Sequence, residues 1–269
     1  MKTFGICAVG IVGELAIKIF EESKEQLKFV VLDKADFWNR NEHILRILED
    51  YQQTEVYYYE NDEQMISLCE GIDAVILAYW GKVIGEDLLE IPKWGFINLH
   101  TSYLPYGKCK HSHYWAIVEN TPYGATIMKI DSGLDTGEII YQKKIIPEWE
   151  DTGKSLYIKG ILAIKELLES HKNELLSLEM TTKPQIGEGT FHYGSELDKN
   201  AFIDLEREYT ARELLNIMRA RSFSPHPGAY FYDGNEKYEI EISIKKTRDQ
   251  INKINYEKLV DSMFGKNNG

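Results

Sequence analysis

Short apolar runs recur along the first half of the chain, and stretches of mixed apolar and polar residues separate them. The runs cover residues 4–9, 29–32, 56–59, 74–79 and 96–100. The fourth is apolar almost throughout, as a strand buried on both faces should be. A helical pattern follows the first run, from about Gly13 to Ser23. Strands alternating with helices predict a doubly wound α/β domain with a mainly parallel sheet. Such sheets take ligands at the carboxyl ends of their strands. Residues 124–130 and 138–144 predict two more strands, joined by the loop 131–137. A long helix is predicted from about Lys154 to Leu178, capped by Asp151 or Thr152.

The pattern changes after residue 180. Residues 181–200 are polar and irregular and read as a connection. A small unit follows: Ile203-Asp204-Leu205, a helix over 210–221, a turn at Pro225-His226-Pro227-Gly228, and alternating strands at 229–232 and 238–244. Asp233-Gly234-Asn235 between those strands is a hairpin signal. The predicted division is a catalytic domain over 1–180, the connection, a helix–hairpin unit over 201–248 and a frayed polar tail over 249–269. No internal repeat is visible.

Composition narrows the class. Of the 269 residues 43% are hydrophobic, enough for one full core and a small appendage, and 28% are charged, as in soluble globular proteins. No apolar run reaches the roughly eighteen residues of a membrane span. The start, ending in Val9 and Gly10, lacks a signal-peptide cleavage site, so a cytoplasmic protein without a membrane partner is expected. A net charge of −12 repels nucleic acid over most of the surface, yet leaves room for a local basic pocket around a phosphate-bearing ligand. Cys7, Cys69 and Cys109 have no metal-ligand spacing, so reduced thiols and no metal are expected. Cys109 stands between Lys108 and Lys110, a setting that can lower a thiol pKa, although an incidental loop cysteine is the simpler reading.

Two constellations carry candidate chemistry. Ala8-Val9-Gly10-Ile11-Val12-Gly13 follows a strand and opens a helix, and Asp33 closes the next strand, where a ribose-binding acid would sit. That is the case for a nicotinamide-dependent oxidoreductase. Ala8 stands where the fingerprint needs its first glycine, and tight strand–helix turns use glycine for backbone reasons alone. An anion can still rest on the helix amino end at Gly10. The second constellation is Asn98, His100 and Asp135. Asn98 and His100 are two apart at a strand end and so point the same way. Asp135 lies in a glycine-flanked loop that can return over the same crevice. Acyl transfer to an amine needs donors for a developing oxyanion and a carboxylate to orient a histidine and assist proton removal. Taken alone, Asn98 as a strand-end cap and His100 as a core histidine remain open.

The wider sequence around these residues supplies a resemblance. Gly95-Phe96-Ile97-Asn98-Leu99-His100-Thr101-Ser102-Tyr103-Leu104-Pro105 resembles the Asn-x-His…Ser-Leu-Leu-Pro signature of the folate-dependent formyltransferases. Asp131-Ser132-Gly133-Leu134-Asp135-Thr136-Gly137 resembles their Asp-x-Gly loop. The resemblance implies a Rossmann-like formyltransferase core with Asn98, His100 and Asp135 catalytic, and 10-formyltetrahydrofolate as donor. It places the folate on Tyr79, Trp80, Gly81, Lys82, Val83 and Ile84 and on the segment around Asp131. Residues 203–204, 219–221 and 225–230 resemble the opening of the carboxyl-terminal part of methionyl-tRNA formyltransferase, so the likeness covers roughly 4–245. Tyr103 replaces the usual leucine, residues 106–111 replace an Arg-Gly run, and Met128 stands where relatives often carry histidine.

Among acceptors, transfer RNA is disfavoured by the acidic charge and by the hairpin at which the resemblance ends. Short sugar-nucleotide N-formyltransferases resemble the chain in length, in Leu-Pro-Tyr followed by His111 and Trp115, and in the terminal hairpin. The resemblance therefore implies a nucleoside-diphosphate amino sugar for lipopolysaccharide or other surface glycans, most simply carried on deoxythymidine diphosphate. Lys82, Lys108, Lys110 and His111 are candidates for a cationic rim, Tyr79, Trp80, Tyr106 and Trp115 for stacking, and Gly10 and Ser102 for further acceptor contacts. The face Tyr238-Ile240-Ile242-Ile244 needs cover, because an isolated hairpin is only marginally stable. A homodimer through the hairpin is expected, as the resemblance also implies.

Overall fold

The computed structural model describes residues 1–36 and 39–247, so the predicted tail 249–269 lies outside the described residues. The first half runs β1 (Phe4–Ala8), α1 (Gly10–Lys18), β2 (Leu27–Leu32), α2 (Asn41–Leu48), β3 (Glu55–Tyr58), α3 (Asp62–Cys69), β4 (Ala74–Ala78), α4 (Glu86–Leu89) and β5 (Gly95–His100). There follow β6 (Lys108–Cys109), α5 (Ser112–Val118), β7 (Tyr123–Lys129), β8 (Ile139–Ile145), α6 (Gly153–Ser170) and α7 (Lys172–Ser177). The chain continues through β9 (Phe191–His192), α8 (Glu196–Asn200), α9 (Ala211–Arg221), β10 (Ala229–Asp233) and β11 (Glu236–Ile240).

Seven strands form one sheet in the order β3-β2-β1-β4-β5-β7-β8. The first five are parallel, and β7 and β8 extend the sheet antiparallel. Successive side chains alternate between two cores. Ile6, Val30, Ile76, Ile97 and Leu99 join a cluster with α1 and α6, while Cys7, Val31, Val75, Leu77 and Phe96 join one with Met65, Cys69 and Leu88 on the opposite face. Burial on both faces is why these strands are apolar throughout.

Boundaries differ from the sequence pattern where close packing intervenes. Helix α1 starts at Gly10, not Gly13. A β-carbon on Gly13 would stand 2.9 Å from Ala8 Cβ, so the turn needs glycine for close approach of helix to strand. The predicted long helix is two: His171 leaves helical geometry (φ −121°, ψ 22°) and stacks on Tyr141 at 3.7 Å. Thr152 caps α6 by accepting from the Ser155 amide, and Asp151 instead takes the Ser155 hydroxyl and Lys159. Strand β11 occupies 236–240, earlier than the expected 238–244. The two-residue turn Gly234-Asn235, with Gly234 at φ +59°, pairs Asp233 with Glu236 and fixes the register. Strand β10 begins only at Ala229, so residues beyond Ile240 have no ladder partner there.

The small unit is joined to the larger one by shared packing. Leu197 and Ala220 lie in one cluster with Tyr114, Trp115, Tyr123 and Leu156. Buried Arg219 donates to the carbonyls of Glu148 (2.8 Å) and Asp151 (3.0 Å). At the same seam His113 packs edge-on against Tyr157 (5.6 Å), Phe223 (5.5 Å) and His111 (6.2 Å). Burial first, then His111, His226 and Arg221, push the His113 pKa down to about 3. The unfolded chain therefore takes up a proton below about pH 6.5 that the folded chain refuses. This contribution is complete above that pH and declines as pH falls towards 3. Between about pH 7 and 5 it costs about 2 kcal/mol. Denaturant unfolding of wild type and His113→Phe should differ in pH slope by that amount; equal slopes would refute the burial of a neutral His113.

Candidate active site

Asn98 and His100 share the face of β5 that carries Phe96, while Ile97 and Leu99 turn into the other core. Met128, fully buried, lies directly across from Asn98 on β7. The loop between β7 and β8 folds back over this face. Asp131 braces it from within, accepting from the Gly133 amide (3.1 Å) and the Thr136 hydroxyl (2.6 Å). A β-carbon on Gly137 would stand 1.8 Å from the Lys129 carbonyl oxygen, so this close turn requires glycine. Asp135 adopts φ +53°, a left-handed conformation that aspartate tolerates better than most residues.

The carboxylate of Asp135 joins the three residues read from the sequence. Oδ1 accepts from Asn98 Nδ2 at 3.3 Å, and Oδ2 accepts from the Cys109 backbone amide at 2.8 Å. His100 Nε2 stands 3.7 Å from Oδ2 and 3.1 Å from the Gly107 carbonyl oxygen. With acceptors on both sides, Nε2 must carry the proton. The His100 and Asp135 side chains are 14% and 15% exposed, so the cluster borders a crevice and is largely withdrawn from water. The site thus presents an amide donor, a protonated ring nitrogen and a carboxylate within one hydrogen-bonded group.

The segment read as a folate loop begins at Tyr79 (φ +62°), whose hydroxyl lies 3.2 Å from the Thr101 hydroxyl and whose pKa burial pushes up. Trp80 packs edge-on against Tyr59 at 5.6 Å. Lys82 is 2.6 Å from the Asp33 carboxylate and lies over the Tyr59 and Trp80 rings at 4.9 and 5.3 Å. Burial raises the Asp33 pKa, but Lys82 and the Ala35 amide outweigh it and hold the carboxyl below its usual range. The acid that would meet a dinucleotide ribose is thus the partner of Lys82. Val83 is 70% exposed, whereas Ile84 is buried.

The expected cationic rim needs correction. Lys82 is committed to Asp33, and burial, then Arg221 and Lys110, push the His111 pKa down and disfavour its charged form. Lys110 Nζ lies 3.6 Å from where a Gly81 β-carbon would stand, and Lys108 Nζ is 3.5 Å from the Glu188 carbonyl oxygen. Ser102 and Trp115 are interior: Ser102 is 0% exposed, and Trp115 is 4% exposed and stacked on His192 at 3.6 Å. Tyr106 is half-buried, and Gly10 is buried in the β1–α1 turn at φ +58°. The lowered thiol pKa open for Cys109 is not found. Burial and Asp135 push it up against the opposing effect of Lys110. Cys109 contributes its backbone amide instead.

The sequence pattern missed Gln185 and Thr190. Residues 181–200 are not a mere connection, since Thr190 Oγ1 accepts from the Gly107 amide (2.8 Å) and β9 pairs with β6 beside Cys109. Their only advance signal was a pair of glycines, Gly187 and Gly189, in a polar stretch. Among the described residues no group of three or more His, Cys, Asp or Glu can hold a metal ion, and no helix is long and apolar enough to cross a membrane.

Comparison with known proteins bears on this geometry. The formyl transferase family profile matches residues 21–168, and the profile described as an N-formyltransferase dimerization C-terminal domain matches 196–246. The methionyl-tRNA formyltransferase of Thermodesulfovibrio yellowstonii is 36% identical over 168 residues, 62% of this chain and 53% of that protein. The chain spans about half the length of the curated relatives it matches. A crystal structure of a 4-N formyltransferase from Francisella tularensis superposes with TM-score 0.78 at 19% identity, covering 91% of this chain and 98% of that one. At that identity the likeness speaks for the fold alone. The formyltransferase PseJ from Anoxybacillus kamchatkensis, solved in complex with UDP-4,6-dideoxy-4-formamido-L-AltNAc and tetrahydrofolate, is 30% identical with TM-score 0.52, covering 64% of this chain and 88% of that one.

Proposed function

The chain belongs to the formyl transferase family, and from that premise we propose that it transfers a formyl group from 10-formyltetrahydrofolate to the amino group of a nucleoside-diphosphate-linked amino sugar in the cytoplasm. The observation that carries this reading is the convergence of Asn98, His100 and Asp135 on one carboxylate. The donor supplies an already activated formyl group, so no nucleophilic side chain is needed. The folate segment offers Trp80 and the exposed Val83, an aromatic and an aliphatic surface suited in chemistry to a flat heterocycle.

The chain's own groups have three tasks. Asn98 has a second amide hydrogen besides the one given to Asp135, and it can donate to the formyl oxygen as negative charge grows there. His100 and Asp135, 3.7 Å apart, form a path for a proton. The acceptor nitrogen bonds to the formyl carbon and loses one proton, the bond from that carbon to the folate nitrogen breaks, and the folate nitrogen gains one proton. The products are a formamide and tetrahydrofolate. No net charge is made, and the low exposure of the pair strengthens each interaction in the transition state.

The acidic net charge of −12 favours a small acceptor over a transfer RNA. The proposed carrier is deoxythymidine diphosphate, and the PseJ complex makes uridine diphosphate the second reading. A panel of dTDP- and UDP-linked amino sugars and methionyl-tRNA, each incubated with 10-formyltetrahydrofolate and read by mass, tests the acceptor. A gain of one formyl group on an amino sugar is expected. Formylation of methionyl-tRNA alone would overturn the sugar reading.

A homodimer through the hairpin belongs to the same proposal. The match to a dimerization C-terminal domain supports it, as does Tyr238, 47% exposed on β11 and stacked on Phe231. Ile240, Ile242 and Ile244 are only half-buried by their own chain. Light scattering at micromolar concentration should give twice the chain mass, and Tyr238→Lys with Ile242→Lys should halve it. A wild-type monomer would contradict the dimer.

A further inference from the structure

We propose that Gln185 is a positioning residue for Asp135, holding the backbone of the Asp135 loop so that its carboxylate meets Asn98, Cys109 and His100 together. This rests on the reading of Asp135 as part of the formyl-transfer machinery; Gln185 itself lies between the two stretches that match the family profiles, 21–168 and 196–246.

The segment that carries Gln185 is fixed by pairing. Lys183 and Ile139 exchange two backbone hydrogen bonds (2.8 and 2.9 Å), an antiparallel bridge that fixes Lys183 against the first residue of β8. The Gln185 side chain then reaches across the loop, and Nε2 donates to the carbonyls of both Asp135 and Gly137 at 2.9 Å. One side-chain amide therefore spans the residue at φ +53° and the glycine that closes the turn. Asp135 sits in the sparsely populated left-handed region, so losing the donor on its carbonyl favours rotation of that peptide, and the rotation would swing the carboxylate. The carboxylate has three partners to lose: Asn98 Nδ2, the Cys109 amide and the His100 ring. The neighbouring Pro184 and Ile186 are exposed, Ile186 by 88%, so the segment contributes little to the core and its contribution to the site is separable from folding.

The substitutions Gln185→Leu and Gln185→Glu test this. Leu removes both donors. Glu keeps the shape but, when ionised, sets a carboxylate against two carbonyl oxygens; when protonated it regains one donor. The first measurement is independent of any substrate: hydrogen exchange of the Cys109 amide, which reports whether Asp135 Oδ2 is in place. We expect Gln185→Leu to speed that exchange at least about tenfold while amides of β4 keep their protection. The second is turnover with the best acceptor of the panel. A misplaced catalytic group costs up to about a hundredfold, so kcat should fall about tenfold to a hundredfold with the KM for folate within about threefold. Gln185→Glu should behave like Gln185→Leu at about pH 8; as the pH falls towards 5 it should protect the Cys109 amide better and turn over faster than Gln185→Leu, because a carboxyl set against two carbonyl oxygens takes up a proton above its usual range and regains a donor.

Unchanged Cys109 protection in Gln185→Leu would overturn the proposal, as would lost protection with unchanged kcat, or identical pH profiles for the two variants. If wild type transfers no formyl group, the functional reading fails on its own, and Cys109 exchange still decides whether Gln185 holds Asp135. Should Gln185→Leu not fold, the pH-dependent exchange of the isosteric Gln185→Glu decides it.

Discussion

Replacing His100 by Asn is expected to lower turnover at least about a hundredfold, the usual scale for loss of a general acid–base group. His100 Nε2 stands 3.1 Å from the Gly107 carbonyl oxygen and 3.7 Å from Asp135 Oδ2. Asparagine can carry an amide donor but cannot accept and release a proton at neutral pH. The change removes one hydrogen bond at a crevice edge, worth about 1 kcal/mol, so the protein should remain folded. Steady-state kinetics paired with a thermal melt separate the two effects. A near-normal rate would remove His100 from the chemistry, and collapse of the melt would mark it as structural.

Asp135→Asn should cost about a hundredfold to a thousandfold in single-turnover rate. The substitution is nearly isosteric, and asparagine tolerates the left-handed backbone at φ +53° about as well as aspartate. What changes is hydrogen-bond polarity and charge. One amide oxygen can still take the Cys109 amide, but the new NH₂ group then meets Asn98 Nδ2, donor against donor. The charge beside His100 disappears, and with it the site's proton acceptor. Asp135→Glu retains the charge but adds a methylene in a loop whose glycines leave no slack, so it should not restore the rate. Full activity of Asp135→Asn would show that the carboxylate holds the loop and nothing more.

Much of this was legible in the sequence because burial leaves a strong imprint. The central strands β1, β2, β4 and β5 are largely buried on both faces, and their apolar runs, with the patterns at β3, β7 and β8, located the seven strands of the sheet. Asn98 and His100 stood out because they interrupt such a run at its end. Helices α2 and α3 were not foreseen. Each buries only two side chains, Ile44 and Leu48 or Met65 and Cys69, so polar residues dominate their pattern. The outer wall of the site was illegible for a different reason. Gln185, Thr190 and the amide of Cys109 act through one or two hydrogen bonds each in non-periodic segments, and a two-residue ladder such as β6–β9 has no periodicity to detect. The ion pair that commits Lys82 to Asp33 joins residues 49 positions apart and depends on the adjacency of loops that only the folded sheet creates.

The central claim is that this chain moves a formyl group from folate to an amine nitrogen at the Asn98–His100–Asp135 cluster. Donor carrying a carbon-13 formyl label, incubated with the protein and a nucleotide-linked amino sugar, tests it most directly when the label is followed by NMR. The account predicts that the label appears as a formamide on the sugar nitrogen with wild type, with tetrahydrofolate released in equal amount, and at least about a hundredfold more slowly with His100→Asn. Label that stays on folate, or is released as formate while the amine remains free, would contradict it.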